Sequence, residues 1–203
     1  MARDRETALN SYITDMLSLE DHIGKALKGQ INDLKNHPDL AAEIRQVNQL
    51  VEHHIADLRS LAERRKAGGV AEAVKRAGAA VAGAAAGIID LVRTEGLPKN
   101  LRDDYTAFSL ATISYAMLYT TAAGLGEREV ADLAEQHLRD YAGAVVRLNT
   151  LVPASVIRYL SEEGLPVQES VLPEVGRTIK AAWQAEAAGE TARAGEGAGA
   201  RGI

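Results

Sequence analysis

Residues 40–61, LAAEIRQVNQLVEHHIADLRSL, place apolar side chains at spacings of three and four, the period of one face of an α-helix. One histidine, His54, lies within this apolar stripe. The segment before it carries a similar stripe that contains one carboxylate, Glu20. A short turn at 36–39 joins the two, so we expect an antiparallel pair of helices with facing stripes. The stripe residues are Ile13, Met16, Glu20, Ile23, Leu27, Ile31 and Leu34 on the first helix, and Leu40, Ile44, Val47, Val51, His54, Leu58 and Leu61 on the second.

The second half of the chain predicts two more helices, separated by a glycine-rich break at 124–126. The third follows a predicted turn at 95–104 and runs over 105–123, and the fourth runs over 127–151. The third is apolar on two sides, so we expect it to be buried on both or to form a subunit contact. The predicted inward positions are Phe108, Ala111, Tyr115, Leu118 and Ala122, then Val130, Leu133, His137, Tyr141, Ala144 and Leu148, while Leu110, Ile113 and Met117 form the second apolar side of the third helix.

Three other segments complete the predicted organisation. The Ala/Gly-rich stretch 70–94 has a helical apolar period and is interpreted as a crossover helix between helices 2 and 3. Pro153 and Pro173 each stand where a proline opens a short helix, and we expect those two C-terminal helices to dock through residues such as Trp183. The tail 187–203, rich in Gly and Ala, has no apolar period and is predicted to be disordered.

Composition and charge exclude several classes of protein. The chain of 203 residues is long enough to bury a core, and we expect one all-α domain over 1–186, with its four-helix core over 10–151. With 23 basic and 28 acidic residues and no long basic block, nucleic acid is not an expected partner. The charges within 70–94 argue against a membrane span. The lack of cysteine and of an N-terminal apolar segment fits a cytoplasmic protein.

Three polar residues form the candidate site. On a helical wheel Glu20, His54 and His137 fall near the middle of their stripes, and Asp57 and Asp140 each follow a histidine by three residues. An isolated buried charge is costly, so Glu20 must pair with a histidine, bind a metal together with the histidines, or lie at a water-filled gap. We expect a hydrogen-bonded network without a cofactor. The alternative is a single Fe, Mn or Zn ion bound by Glu20, His54 and His137, with Asp57 or Asp140 either as a further ligand or as a hydrogen-bond partner that orients a ligand.

Three tyrosines lie close to this site on the wheel. Tyr115, Tyr119 and Tyr141 can hydrogen-bond into the network, although their spacing is also that of core packing residues. His53 and His22 fall outside the apolar stripes, and we expect them to be solvated. The sequence contains no phosphate-binding loop or nucleophile elbow, so no enzymatic motif accompanies the candidate site.

Four stretches, 15–30, 40–61, 101–107 and 115–141, make the chain resemble the ferritin-like family of unknown function that includes YciE/YciF-type bacterial stress proteins. The resemblance implies an up-down, ferritin-like four-helix bundle that is often dimeric, with a carboxylate-rich interior for two metal ions. Glu20 matches the glutamate that the family has on its first helix. The fold is therefore expected to be ferritin-like.

The other site positions depart from the family pattern. Val47 and Leu50 stand where the family has His-x-x-Glu, the run 108–111 replaces Glu-His-x-Glu, and Asp140 and Tyr141 replace two glutamates. We therefore expect the fold to be kept and the dinuclear site to be lost or rebuilt. The function expected is that of a non-enzymatic, stress-associated homodimer with a structural or interaction role, whose protein partner the sequence does not specify. The alternative is a metal-dependent oxidoreductase or a metal-storage protein.

Overall fold

A computed structural model describes residues 5–65 and 96–184. Within these ranges every regular element is a helix, which confirms the all-α prediction. The elements are α1 (Arg5–Asp33), α2 (Pro38–Arg64), α3 (Leu97–Leu125), α4 (Arg128–Glu162), a 3-10 helix (Glu169–Val171) and a helix over 172–184. The chain divides into two compact units, Met1–Val146 and Arg147–Ile203. The predicted crossover helix at 70–94 and the tail at 187–203 lie outside the described residues.

Helix α1 lies antiparallel to both α2 and α3 in the first unit. Glu20, in the middle of α1, contacts His54 on α2 and Tyr115 on α3. Gln30, ten residues further along α1, contacts Asp104, which comes eleven residues earlier on α3. Lys28, further along α1, contacts Glu52, which comes before His54 on α2. The predicted antiparallel pairing of the first two helices is therefore confirmed, and α3 follows the direction of α2.

Helix α2 ends beside the start of α4. Arg64 at the end of α2 donates a hydrogen bond from Nε to Oε1 of Glu129 in the first turn of α4, at 2.8 Å. Because α3 begins at the opposite end of the unit, residues 66–95 connect opposite ends of the four helices. Four helices with one long connection form the arrangement of ferritin-like folds. The predicted ferritin-like four-helix bundle, with its long connection between the second and third helices, is thus confirmed.

The apolar stripes predicted from the sequence form the core. Every predicted inward position on α2 and α3 is buried, and the only exceptions on α1 and α4 are Ile31 and Leu133, which are half-buried. On the second apolar side of α3, Ile113 and Met117 are exposed within the chain. Aliphatic side chains dominate the interior, so burial of apolar surface stabilises the helices against one another. The same stripes carry Glu20, His54 and His137 into the core.

Helix α3 begins at Leu97, eight residues before the predicted start at Tyr105. The stretch interpreted as a turn forms the first two turns of the helix, because Pro98 occupies the first turn, where its fixed φ and missing N–H are tolerated. Gly96, with φ of 91°, supplies the bend before the helix. The longer helix carries Asp104 into the interior, which the sequence reading did not foresee.

Proline 153 lies inside α4, so the prediction that it opens a separate short helix is wrong. A proline within a helix removes one backbone hydrogen bond. The loss of that one bond does not end the helix, which continues to Glu162. Pro173, by contrast, lies in the first turn of the helix over 172–184, as predicted. Trp183 of that helix, which we expected to dock, is 56% exposed.

Candidate polar site in the bundle core

The structure brings together the three core residues that the wheel predicted to converge. Glu20 on α1, His54 on α2 and His137 on α4 are all fully buried. Each offers one ligating atom, and these atoms lie within 4.8 Å of one another. The convergence follows from helical period alone, since each residue occupies the centre of an inward stripe.

Glu20 accepts three hydrogen bonds. His54 Nδ1 lies 3.1 Å from Oε1, the Tyr115 hydroxyl donates to the same oxygen at 2.5 Å, and the Tyr141 hydroxyl donates to Oε2 at 2.5 Å. Burial raises the pKa of both tyrosines well above its usual value, and the charge of Glu20 adds to this effect. Both hydroxyls therefore keep their protons and serve as donors to the carboxylate.

The two His-x-x-Asp segments pair crosswise between α2 and α4. His54 Nε2 lies 3.2 Å from Oδ2 of Asp140, and His137 Nε2 lies 3.4 Å from Oδ2 of Asp57. Each histidine thus contacts the aspartate of the other helix. The aspartate side chains are about one third exposed, at 34% for Asp57 and 33% for Asp140, so they lie at the edge of the core. Asp57 also lies 3.5 Å from the exposed ring of His53.

His54 is the charged member of the histidine pair. Both of its ring nitrogens face carboxylate oxygens, and ionised carboxylates only accept hydrogen bonds, so both nitrogens must carry protons. Burial by itself lowers the pKa of His54, but the hydrogen bonds and charges of Glu20 and Asp140 outweigh burial and raise it. His54 is therefore an imidazolium held between two carboxylates.

His137 is the neutral member of the pair. Burial lowers its pKa, and the charge of His54 lowers it further, to about 4, against the opposing effect of Asp57. Its Nδ1 lies 2.9 Å from the Tyr115 hydroxyl. Because Tyr115 donates its one proton to Glu20, its hydroxyl oxygen is the atom that faces His137 Nδ1, and this hydroxyl links the two halves of the network.

The family model described as "Domain of unknown function (DUF892)" matches residues 5–161 of the chain. The chain belongs to this family. DUF892 is a ferritin-like family, in agreement with the bundle described above. No curated protein matches the chain. Among the described residues, no helix is both long enough and apolar enough to cross a membrane.

This DUF892 chain does not fit the two-ion site that the family resemblance implies. Dinuclear carboxylate bundles take a glutamate from each of two helices and a Glu-x-x-His pair from each of the other two. At this site Glu20 is the one fully buried carboxylate among the described residues. Helix α3 presents Phe108, Ala111 and Tyr115 where a further carboxylate would be needed. The donor set is therefore too poor in carboxylates to hold two ions.

A single ion is a better match for the donor set. One carboxylate and two imidazoles suit Zn, Fe or Mn, and the ligand atoms of Glu20, His54 and His137 converge. Asp57 and Asp140 contact the far ring nitrogens of these histidines, in the position from which carboxylates orient metal-bound imidazoles. Whether these five residues bind a metal stays a prediction.

Two of the three neighbouring tyrosines belong to the site and one does not. Tyr115 and Tyr141 are fully buried and donate to Glu20, whereas Tyr119 is 36% exposed. The sequence could not separate the three tyrosines, because helical period predicts the direction of a side chain and not the distance that its hydroxyl reaches. His53 is solvated as expected, with 64% of its side chain exposed.

Proposed function

We propose that the chain is a divergent ferritin-like protein of the YciE/YciF stress type in which a charged hydrogen-bond network has replaced the dinuclear metal site. In this proposal the protein is cytoplasmic and acts through contacts with other proteins instead of catalysis. The observation that supports it most is the saturation of the core site by protein groups. Both oxygens of Glu20 and both nitrogens of His54 have partners within the chain.

Such a network gives the bundle a unique register. Each of the four helices supplies at least one member: Glu20 from α1, His54 from α2, Tyr115 from α3, and His137 with Tyr141 from α4. A shift of one helix by a turn would leave a charge buried without its partner, which costs several kcal/mol. The network therefore fixes the helices relative to one another, a role that requires no metal.

The surface proposed for self-association lies on α3. Ile113 is 58% exposed and Met117 is 49% exposed, and they are one turn apart. From 105 to 126 the sequence contains no charged residue. Solvent-facing helix surfaces ordinarily carry charges, so an uncharged face with large apolar side chains fits a protein contact. We propose that a second copy of the chain covers this face in a homodimer.

A second candidate function is the binding of a single metal ion at the same site. The observation in its favour is that the ligating atoms of Glu20, His54 and His137 lie within 4.8 Å of one another. Metal binding would require His54 to lose the Nδ1 proton that it donates to Glu20. The ion would then compete with a proton that two carboxylates hold in place.

Elemental analysis distinguishes the two candidates. The chain, produced without a histidine tag, is incubated with Fe, Mn or Zn, desalted and analysed for metal per chain. The proposed structural role predicts far less than one ion per chain. About one ion per chain that is lost in His54→Gln and His137→Gln, and retained in the exposed control His53→Gln, would instead establish the metal site.

A further inference from the structure

A cleft of about 130 Å³ lies between α1 and the first turns of α3, and no member of the core network lines it. Its walls combine small apolar side chains with acidic and amide groups. The apolar part of the lining is formed by Ile23, Ala26 and Ala107, and the acidic part by Asp33, Asp103 and Asp104. Neither the metal chemistry nor the proposed dimer contact uses this cleft.

Asp104 is the buried member of the cleft wall. Its side chain is only 4% exposed, and Oδ1 accepts a hydrogen bond from Gln30 Nε2 at 2.7 Å. Oδ2 is buried and has no hydrogen-bond partner. A buried carboxylate oxygen without a donor is costly and is uncommon in native proteins. The cleft wall therefore contains an acceptor that is not satisfied by the protein itself.

The charges of the cleft favour a cationic ligand. Besides Asp104, the charged residues that line it are Lys25 and Asp33 on α1 and Asp103 on α3. Lys25 is the one cation of the lining, and its Nζ lies 2.6 Å from Oδ2 of Asp21. Asp103 is paired in the same way, because its Oδ1 accepts hydrogen bonds from Nε and Nη2 of Arg102 at 2.9 and 2.7 Å. These two pairs balance their own charges, and Asp33 and Asp104 leave the cleft net negative.

The arrangement of these carboxylates argues against a metal ion. In the part of the chain that the structure describes, ligating groups converge within 4.8 Å in the Glu20, His54, His137 cluster, and the cleft carboxylates form no such group. A larger organic cation with methylene groups matches both the acidic and the apolar parts of the cleft wall. We propose that the cleft binds an aliphatic amine, whose ammonium group donates to Asp104 and whose methylene groups lie against Ile23, Ala26 and Ala107.

Titration calorimetry of the full chain with putrescine tests the proposal. The variant Asp104→Asn keeps the shape of the side chain and removes its charge, and we expect binding at least about tenfold weaker. Gly29→Leu adds a bulky apolar side chain to the cleft lining without changing a charge. A Cβ at Gly29 meets no atom within 4 Å, so the helix accommodates the change, and we expect weaker putrescine binding. Asp132→Asn, an exposed aspartate on α4, is the matched control and keeps wild-type affinity.

The pH dependence provides an independent readout. Burial raises the pKa of Asp104 to about 7, with the hydrogen bond from Gln30 opposing the effect and the charge of Asp103 adding to it. The amine stays protonated well above this pH, so binding requires only the ionised carboxylate. Putrescine should therefore bind about tenfold more tightly near pH 8 than near pH 6 in wild type, with little change in Asp104→Asn.

The result that overturns the proposal is equal putrescine binding in wild type and Asp104→Asn, or no binding to the wild type at millimolar concentration. Binding of 1-butanol as tight as that of n-butylamine would also overturn it, because the charge would then play no part. Mg²⁺ binding that depends on Asp104, without amine binding, would reject the amine in favour of a metal. If circular dichroism shows that Asp104→Asn does not fold, the proposal is tested by putrescine binding to Gly29→Leu and by the pH dependence of binding to wild type.

Discussion

The imidazole rings of His54 and His137 are stacked, with centroids 3.8 Å apart and planes inclined by 19°. Two imidazolium ions at this distance would repel each other strongly inside a core of low dielectric constant. The network resolves this by giving the two rings different charges. His54 is held between two carboxylates, whereas His137 has one carboxylate and one hydroxyl as neighbours.

The first prediction concerns acid stability and follows from His137. Its pKa falls to about 4 in the folded chain, below the usual 6.5 of an unfolded histidine, so the unfolded state binds more protons between these values. The free energy of unfolding must then fall as the pH drops through that window, by about 3 kcal/mol from this residue. Urea denaturation of wild type and His137→Gln from pH 8 to pH 4 measures this contribution as the difference between the unfolding free energies of the two proteins.

His54 contributes with the opposite sign. Its pKa is raised in the folded chain, so its stabilising effect is fully present below the unfolded value and is lost as the pH rises through the folded value. The unfolding free energy of wild type relative to His54→Gln should therefore decline as the pH rises above about 6.5, the ordinary pKa of an unfolded histidine. His53→Gln serves as the control, because that ring is largely exposed. A wild-type advantage that grows with pH would contradict the assignment of His54 as the imidazolium.

The second prediction concerns the charge of Glu20. The variant Glu20→Gln keeps the size of the side chain but leaves the buried imidazolium of His54 without its closest anion. Breaking a buried ion pair by removing one partner costs about 3 kcal/mol or more. The free energy of unfolding from urea titration at neutral pH measures the loss, with the exposed Glu63→Gln as the control. If both variants are equally stable, Glu20 and His54 do not form a buried ion pair.

A third prediction separates the two tyrosine donors. Tyr141→Phe removes one hydrogen bond to Glu20, while Tyr115→Phe also removes the contact with His137. We expect a loss of about 1 kcal/mol for Tyr141→Phe and a larger loss, about 2 kcal/mol, for Tyr115→Phe. Tyr119→Phe is the matched control, since its ring is outside the network, and it should change stability little. The reverse order of the two losses would show that Tyr115 does not link Glu20 to His137.

Sequence periodicity predicted the inward direction of the core residues correctly. His54 and His137 lie at the centre of long, regular apolar stripes. A helix with one such stripe buries the face that carries it, so both histidines point into the core. The hydrogen-bond partners of the two histidines could not be predicted in the same way. The crosswise contacts to Asp140 and Asp57 depend on the relative height of α2 and α4, which the sequence of one helix does not contain.

Local rules failed where two signals competed. Pro98 within the stretch 95–104 is equally typical of a turn and of the first turn of a helix, and the structure shows the latter. The burial of Asp104 followed from this unforeseen extension, so the acidic cleft could not be predicted. Pro153 was misinterpreted for a related reason. A proline is favoured in the first turn of a helix, but this one interrupts a helix that runs from Arg128 to Glu162.

The fourth prediction tests the proposed dimer through its exposed face on α3. Ile113→Glu places a charge at the centre of the uncharged face, where a second copy would bury it without a partner. We expect light scattering coupled to gel filtration to give the mass of a dimer for wild type and of a monomer for this variant. The single chain should lose little stability, because the Ile113 side chain is 58% exposed within it. Gln136→Glu, on the exposed side of α4, should remain dimeric, and a dimeric Ile113→Glu or a monomeric wild type would exclude this face as the interface.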